Sequence, residues 1–441
     1  MSLSISVFGL GYVGSVSAAC WAHAGHRVIG VDVNPSKVAM LAAGQSPIVE
    51  PGVAELAAQS HQAARLCATV DGAAAVRDSD ISFVCVGTPS LPSGKLDLSY
   101  VERVSQEIGA ALKTKKPPHV IVLRSTVLPG TTESVVIPIL ERASGRRHGA
   151  DFTVCYNPEF LREGSAVADF HEPSQTILGA ATQDHLILLR KIYEPTRGTK
   201  FETTLPVAEM AKYASNVFHA VKVGFANELG AICKHLGVDT ETVIRMFIAD
   251  TKLNISPAYL SPAFAFGGSC LPKDVRALAY RAKELDLTLP LLEALMPSNA
   301  EHLNRAFEAV VHTSKKKVSL LGLSFKAGTD DLRGSPQVEL ASRLLEKGFE
   351  LRIWDQDVSL GRLAGSNRQY IEEVIPQISS LLSADLEQVV CSAEVVIIGN
   401  KSAHKEQITQ YLRPNQIVLD LVNLTRSHRP DEAASYQGIC W

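Results

Sequence analysis

A chain of 441 residues is long enough for two or three domains with sizeable cores. Hydrophobic residues make up 46% and charged residues 20%, the balance of an ordinary globular protein, and a formal net charge of -3 gives no reason to expect nucleic acid or a membrane surface as partner. The eight cysteines form no C-x-x-C pair, so neither a zinc site nor a disulfide framework is indicated, and no metal is expected. No apolar run is long enough to span a bilayer, and the chain enters a strand at once with no basic leader, so the expected compartment is a reducing cytoplasm.

Ile5 to Phe8 reads as a short buried strand leading into Gly9-Leu10-Gly11-Tyr12-Val13-Gly14, a G-x-G-x-x-G turn. A helix of small residues is expected from Ser15 to Ala24, stopped by Gly25-His26, and a second strand from Arg27 to Asp32. Strand, glycine turn, helix, strand and acid together are the dinucleotide fingerprint: the glycines admit the pyrophosphate and the helix N-terminus faces it. Gly9, Gly11, Tyr12, Val13 and Gly14 are therefore expected at the cofactor. Asp32 is expected on the adenosine ribose, where its charge repels a 2′-phosphate and favours NAD over NADP. Lys37 reads equally as a reach to the adenosine end or as a solvated helix lysine.

Further strands end at Gly87-Thr88-Pro89, at Arg124-Ser125-Thr126 and at Asn157-Pro158-Glu159. Ligands of open parallel sheets sit outside the carboxyl ends of the strands, which places Thr88, Ser125 and Thr126 for cofactor or substrate contact. Each alone also reads as a helix cap. Glu159 is either an acid–base group or a cap.

Between Pro206 and His235 the pattern becomes one long helix, with Lys212 and Asn216 four apart on one face. Such a pair can hold a developing oxyanion, or can be two solvated residues of an amphipathic helix. A second helix starts near Asp239, and an irregular loop runs from Ala249 to Phe266. Then comes Gly267-Gly268-Ser269-Cys270-Leu271-Pro272-Lys273-Asp274, a thiol behind two glycines. Lys273 can lower the thiol pKa, and Asp274 can hold a water or take a proton; the alternative is an inert buried cysteine on a turn. Helices resume from Pro272 to about Val310.

A second strand–loop–helix–strand unit opens at Val318, with Lys326 and Arg333 in its loop placed to meet phosphates. It continues through a helix from Pro336 to Lys347, the strand Glu350 to Trp354 and Asp355, with later strands at Val395 to Ile398 and Ile417 to Asp420. The tail from Gly438 to Trp441 receives no assignment. The expected architecture is α/β: two Rossmann-like domains joined by a long central helix in an all-helical middle domain. The expected divisions are 1–205 for NAD, 206–310 for linkage and dimerisation, and 311–441 for the sugar nucleotide.

These pieces together resemble the nucleotide-sugar 6-dehydrogenases, the family of UDP-glucose and GDP-mannose dehydrogenases. The likeness runs over Gly9 to Gly14, Val86 to Pro89, Arg124 to Thr131, Asn157 to Gly164, Glu209 to Tyr213 with Asn216, Phe266 to Asp274 and Gly322 to Lys326. Ser46 to Gly52, Phe264 to Gly268 and the Gly438 to Trp441 tail resemble the branch that oxidises GDP-mannose. Asn254-Ile255-Ser256 stands where the UDP-glucose branch often has Arg-Ile-Gly.

The resemblance implies a four-electron oxidation of the C6 hydroxyl of a nucleotide sugar by NAD, on GDP-mannose or alternatively UDP-glucose or another UDP-sugar. It implies that Lys212 and Asn216 stabilise the alkoxide and that Asp274, with a water held by Thr126, takes the proton. Cys270 then forms a thiohemiacetal and a thioester, which water hydrolyses with help from Glu159 or Asp274. The same resemblance sets Glu159, Phe160, Leu161, Lys212, Asn216, Tyr259, Phe264, Gly267 and Lys326 about the substrate. It brings Glu163, Cys270, Lys273 and Arg333 to the cofactor, with the chemistry in a cleft between domains. A homodimer or higher homo-oligomer built on the long helix is also implied.

Overall fold

The computed structural model describes residues 2–93, 95–116, 118–162, 164–256, 263–268, 271–325, 332–358, 365–401, 403, 405–424 and 435–439. The chain divides into two compact units, Met1–Ala220 and Val221–Trp441, and the division falls inside the long helix Leu205–His235.

The first unit is built on eight strands: β1 (Ser4–Phe8), β2 (Arg27–Val31), β3 (Leu66–Thr69), β4 (Ile81–Val84), β5 (His119–Leu123), β6 (Phe152–Tyr156), β7 (Gln175–Ala180) and β8 (Thr199–Thr203). They lie in the order β3-β2-β1-β4-β5-β6-β7-β8. All neighbours are parallel except β6 and β7, which meet antiparallel through Cys155 and Ala180. The inner strands are buried on both faces, which is why they read as unbroken apolar runs rather than alternations. The chain runs outward from β1 through β2 to β3 and then crosses back to β4 on the other side of β1, so the strand order reverses there. The carboxyl ends of those strands therefore open a crevice at Gly9 and Cys85.

One face of the sheet packs on the helix Tyr12–His23, where Trp21 stacks against Phe83 at 4.1 Å between ring centroids. The other face packs on the helix Ser99–Leu112, which buries Val101, Val104, Ile108 and Leu112. The first helix begins at Tyr12, three residues before the expected Ser15. Gly11 is its extended cap, so Gly14 already lies in the first turn.

A polar chain crosses the sheet core. Ser79 Oγ donates to Ser6 Oγ at 3.0 Å, the Ser6 and Ser82 hydroxyls are 2.7 Å apart, and Ser82 lies 2.8 Å from His119 Nε2. Burial, with the nearby Lys115 ammonium, pushes the His119 imidazole down to about 3. A histidine held neutral adds stability above its usual 6.5, and that stability is lost as pH falls from there toward about 3. The slope from this one group reaches at most about 1.4 kcal/mol per pH unit. His119→Gln is therefore expected to flatten the decline of the urea midpoint between pH 6.5 and 4.5, and an equal decline in both proteins would remove His119 as its source.

The second unit carries β9 (Lys317–Leu321), β10 (Glu350–Trp354), β11 (Val395–Ile398), β12 (Ile417–Asp420) and β13 (Ser435–Gly438), all parallel, in the order β10-β9-β11-β12-β13. The edge strand Ser435–Gly438 ends where the unassigned tail begins, and the Tyr436 hydroxyl donates to the buried Asp420. Ahead of this sheet stand the helices Thr240–Ala249, Leu271–Glu284 and Pro290–Val311. Glu228, on the long helix, accepts the amides of Leu291 and Leu292 at 2.8 and 2.9 Å and so caps the last of them. The α/β expectation, with parallel sheets and a helical central region, matches this architecture.

Candidate active site

The crevice of the first unit holds a cavity of about 220 Å³ lined by Gly9, Gly11, Asp32, Val33, Lys37, Cys85, Gly87, Tyr100, Arg103 and Glu107 among others. Each glycine of the turn has a distinct task. Gly9 has φ +94°, a conformation that side chains resist, and leaves no room beside the Cys85 backbone. A methyl group on Gly14 would lie 1.8 Å from the Gly9 carbonyl oxygen, so this glycine lets helix and turn touch. A methyl group on Gly11 would meet no protein atom within 4 Å. That open side is where an anion can approach the helix N-terminus.

The contrast gives a test. Gly11→Ala is expected to melt within about 2 °C of the parent, because it disturbs no packing, yet to bind NAD at least about tenfold more weakly. Gly14→Ala is expected to lose fold and binding together. Thermal melts and NAD titration read both, and the opposite pattern would dismiss these roles.

Asp32 serves the turn as well as the cavity. Its Oδ2 accepts the Leu10 amide at 2.7 Å and its Oδ1 the Asn34 amide at 2.8 Å, leaving the carboxylate at the cavity wall. Lys37 lines the same wall, on a helix capped by Asn34. The corresponding acid of the second unit, Asp355, is buried. Its oxygens take the amides of Leu323, Ser324, Asp357 and Val358.

Thr88 donates its hydroxyl to the Thr126 carbonyl at 2.7 Å, and Ser125 to the Val86 carbonyl at 2.6 Å. These hydroxyls join the ends of β4 and β5 and keep only lone pairs for a ligand.

Beyond them lies the most buried ion pair of the first unit. Lys212 Nζ donates to the Glu159 carbonyl at 2.6 Å and lies 3.0 Å from Glu159 Oε1, with side-chain exposures of 8% and 13%. The Phe160 ring sits 5.2 Å from the ammonium, and Glu159 Oε2 accepts the Leu161 amide at 2.7 Å. Asn216, one helical turn on, is exposed. The loop that bears Thr126 is fastened to the same helix by Glu209, which is fully buried and accepts from Gly130 N, Thr132 N and Thr132 Oγ1. Burial pushes the Glu209 carboxyl up, against the pull of these donors. Behind Glu159, Asn157 is clamped by Arg124 and Tyr193 and donates to the Ile177 carbonyl at 2.9 Å.

In the second unit, the segment before Cys270 is held from two sides. Asn299 exchanges two hydrogen bonds with the Phe266 backbone, at 2.8 and 2.9 Å, and His302 contacts the Ala263 carbonyl at 2.7 Å. A methyl group on Gly267 would lie 2.4 Å from Pro336 and 2.5 Å from the Gly334 oxygen. Gly268, at φ +88°, donates to the Gly334 carbonyl at 3.1 Å and abuts the Phe325 ring. Both glycines answer to protein neighbours. Phe264 packs on the core of the second sheet, and Arg333 is exposed beside Gly334. Glu163, Tyr259, Cys270 and Lys326 lie outside the described residues, as do the side chains of Lys273 and Asp274 in the helix Leu271–Glu284.

Residues that sequence reasoning left without a role include Glu209, quoted only as part of a motif, and the cavity wall of Tyr100, Arg103 and Glu107. For Glu209 the one signal is a charged side chain among the apolar residues of its helix face; Tyr100 and Arg103 are exposed and carry none. Among the described residues no helix is long and apolar enough to cross a membrane, and no group of three or more His, Cys, Asp or Glu is placed to hold a metal ion.

An open side at Gly11, a helix N-terminus behind it and a carboxylate at the tip of β2 fit a dinucleotide, and the chain is a nicotinamide-dependent oxidoreductase of the Rossmann class. The models of one family match it in three parts: the NAD binding domain over residues 3–197, the central domain over 206–301 and the UDP binding domain over 319–427. The chain belongs to the UDP-glucose/GDP-mannose dehydrogenase family, with NAD as its cofactor and with the domain through which that family holds a sugar nucleotide.

It is 49% identical to a GDP-mannose 6-dehydrogenase of Pseudomonas aeruginosa and 46% identical to one of Azotobacter vinelandii, each over the full length of both chains. A UDP-glucose 6-dehydrogenase of Haloferax volcanii is 38% identical over 80% of this chain and 83% of its own. The crystal structure of a ternary complex of the Pseudomonas aeruginosa GDP-mannose dehydrogenase matches the whole chain with a TM-score of 0.95. That of a Pyrobaculum islandicum UDP-glucose dehydrogenase, 35% identical over 100% of this chain and 98% of its own, reaches 0.56.

Proposed function

We propose that the chain oxidises the C6 hydroxyl of GDP-mannose to the carboxylate in two NAD-dependent steps. The observation that carries the substrate is the full-length identity of 46–49% to GDP-mannose 6-dehydrogenases, against 38% over four-fifths of the chain for the UDP-glucose enzyme. The Lys212–Glu159 pair supports the chemistry, because a buried ammonium beside a carboxylate suits an alcohol that must become an alkoxide.

NAD, when bound, takes the hydride that C6 gives up in each oxidation. Lys212 and Asn216 donate to the alkoxide oxygen. Asp274, with a water held by Thr126, receives the hydroxyl proton. The Cys270 thiolate attacks the aldehyde carbon, and the carbonyl oxygen gains a proton to complete a thiohemiacetal. Loss of the second hydride and of that proton leaves a thioester. Water assisted by Glu159 or Asp274 then breaks the sulfur–carbon bond, releasing the carboxylate and restoring the thiol. Each turnover uses two NAD and one water.

The reading keeps three functional parts, 1–205, 206–310 and 311–441, and a dimer of two copies along the long helix. The exposed Val207, Met210, Val217, Phe218 and Val221 on that helix support the dimer. It places the enzyme in the cytoplasm, where Cys270 stays reduced. NADH formed per sugar consumed tests the function. Two per GDP-mannose is expected. Two per UDP-glucose, with none from GDP-mannose, would overturn the substrate, and one per sugar would overturn the covalent route.

A further inference from the structure

Glu50 has no role in the chemistry above, yet it is among the most completely bonded carboxylates of the first unit. It is 8% exposed, and no cation is paired with it among the described residues. Its Oε2 accepts the Tyr12 hydroxyl and the Gly164 amide, both at 2.8 Å, and its Oε1 accepts the Ala166 amide at 2.8 Å. Tyr12 is the first residue of the helix whose N-terminus faces the pyrophosphate site. Gly164, at φ +88°, lies in a turn that follows the Lys212 partner Glu159 by a few residues, and Ala166 opens the helix Ala166–His171. That turn is braced from its far side by Asp169, which takes Arg162 N, Arg162 Nη2 and Ser165 Oγ. Burial pushes the Glu50 carboxyl up, but the Gly164 amide, the Tyr12 hydroxyl and the Ala166 amide together hold it below the usual carboxylate range.

We propose that Glu50 is a positioning residue that couples cofactor binding at Tyr12 to the arrangement of Gly164 and Ala166, a few residues after Glu159 in the chain. The inference rests on the chain's use of NAD and not on which sugar it oxidises. The geometry explains why a carboxylate is required. All three partners donate, so either orientation of a glutamine amide would turn its NH₂ toward a backbone N–H. Because coupling is reciprocal, the turn should tighten when NAD binds, and NAD should bind less well when the turn is released.

The experiment uses Glu50→Gln, Tyr12→Phe and the double variant, titrated calorimetrically with NAD in the absence of sugar. Hydrogen exchange is followed across residues 162–166. Glu50→Gln is expected to weaken NAD binding about tenfold or more, and Tyr12→Phe about threefold to tenfold. The Tyr12 hydroxyl also lies 3.2 Å from the Arg162 carbonyl, so the double variant is expected to be weaker than Glu50→Gln alone by less than the factor that Tyr12→Phe costs in the parent. NAD is expected to slow exchange at Gly164 and Ala166 in the parent and not in Tyr12→Phe.

A purely structural Glu50 would lower the melting temperature and leave NAD affinity and amide protection unchanged, which would overturn the proposal. Losses that multiply in the double variant would overturn it too. If Glu50→Gln does not fold, Tyr12→Phe still decides, because it leaves both amide bonds in place. An error in the assigned sugar would show only in the NADH assay with GDP-mannose and would leave these titrations untouched.

Discussion

Cys270→Ala is expected to stop uronate formation, lowering steady-state turnover by about 10⁴-fold or more, the scale on which loss of an enzymic nucleophile acts. The reason is chemical. An aldehyde carries no good hydride to give until a nucleophile adds to it, and the thiol supplies that nucleophile without letting the aldehyde leave. The first oxidation does not use sulfur. A rapid-mixing experiment should therefore show NADH forming once, at no more than one per active site, with an aldehyde in place of the acid. Two NADH per sugar from this variant would end the covalent proposal.

Lys212→Ala is expected to cost about 10²- to 10³-fold in turnover, the effect of removing one donor to a developing oxyanion. It also strands Glu159. Breaking a buried pair costs about 3–5 kcal/mol, and the 13% exposure of the Glu159 side chain favours the lower end. A domain stable by about 5–15 kcal/mol survives that loss, so the variant should fold and the turnover deficit should be catalytic. Melting curves and turnover measured well below the midpoint separate the two effects. Lys212→Arg should not rescue, since a planar guanidinium cannot bond both the Glu159 carbonyl and carboxylate from the position of a compact ammonium. Parent-like turnover in Lys212→Ala would discard its role at the alkoxide.

The dinucleotide half was legible because its chemistry is local. Gly9, Gly11, Gly14 and Asp32 lie within 24 residues, and each acts through a turn or strand that its neighbours specify. The start of the helix at Tyr12 was not, because small residues on both sides of Gly14 carry no periodicity to mark a boundary. The reversal of β7 and β8 was equally silent, since an apolar run such as Thr176 to Ala180 has no direction. β13 escaped notice because Ser435-Tyr436-Gln437-Gly438 lacks an apolar run; only pairing with β12 makes it a strand.

At the site, Lys212 was visible by its spacing, but its partner was not, since Glu159 stands 53 residues away. Glu50 and Glu209 were the hardest. A carboxylate buried against backbone amides has the same letter as one in water, and only the fold tells them apart.

The anchoring of Gly268 bears on the proposed chemistry. That residue is bonded to Gly334, and Leu271 opens a helix of the second unit, so the neighbours of Cys270 on both sides are parts of that unit. The dinucleotide cavity is built from residues 8 to 107 of the first. On the proposed route a spent cofactor must leave and a fresh one arrive while the sugar is half oxidised. The tether and the exchange port then belong to different folding units. On that route the residues that flank the thiol and the residues that form the cofactor cavity are held by separate sets of bonds.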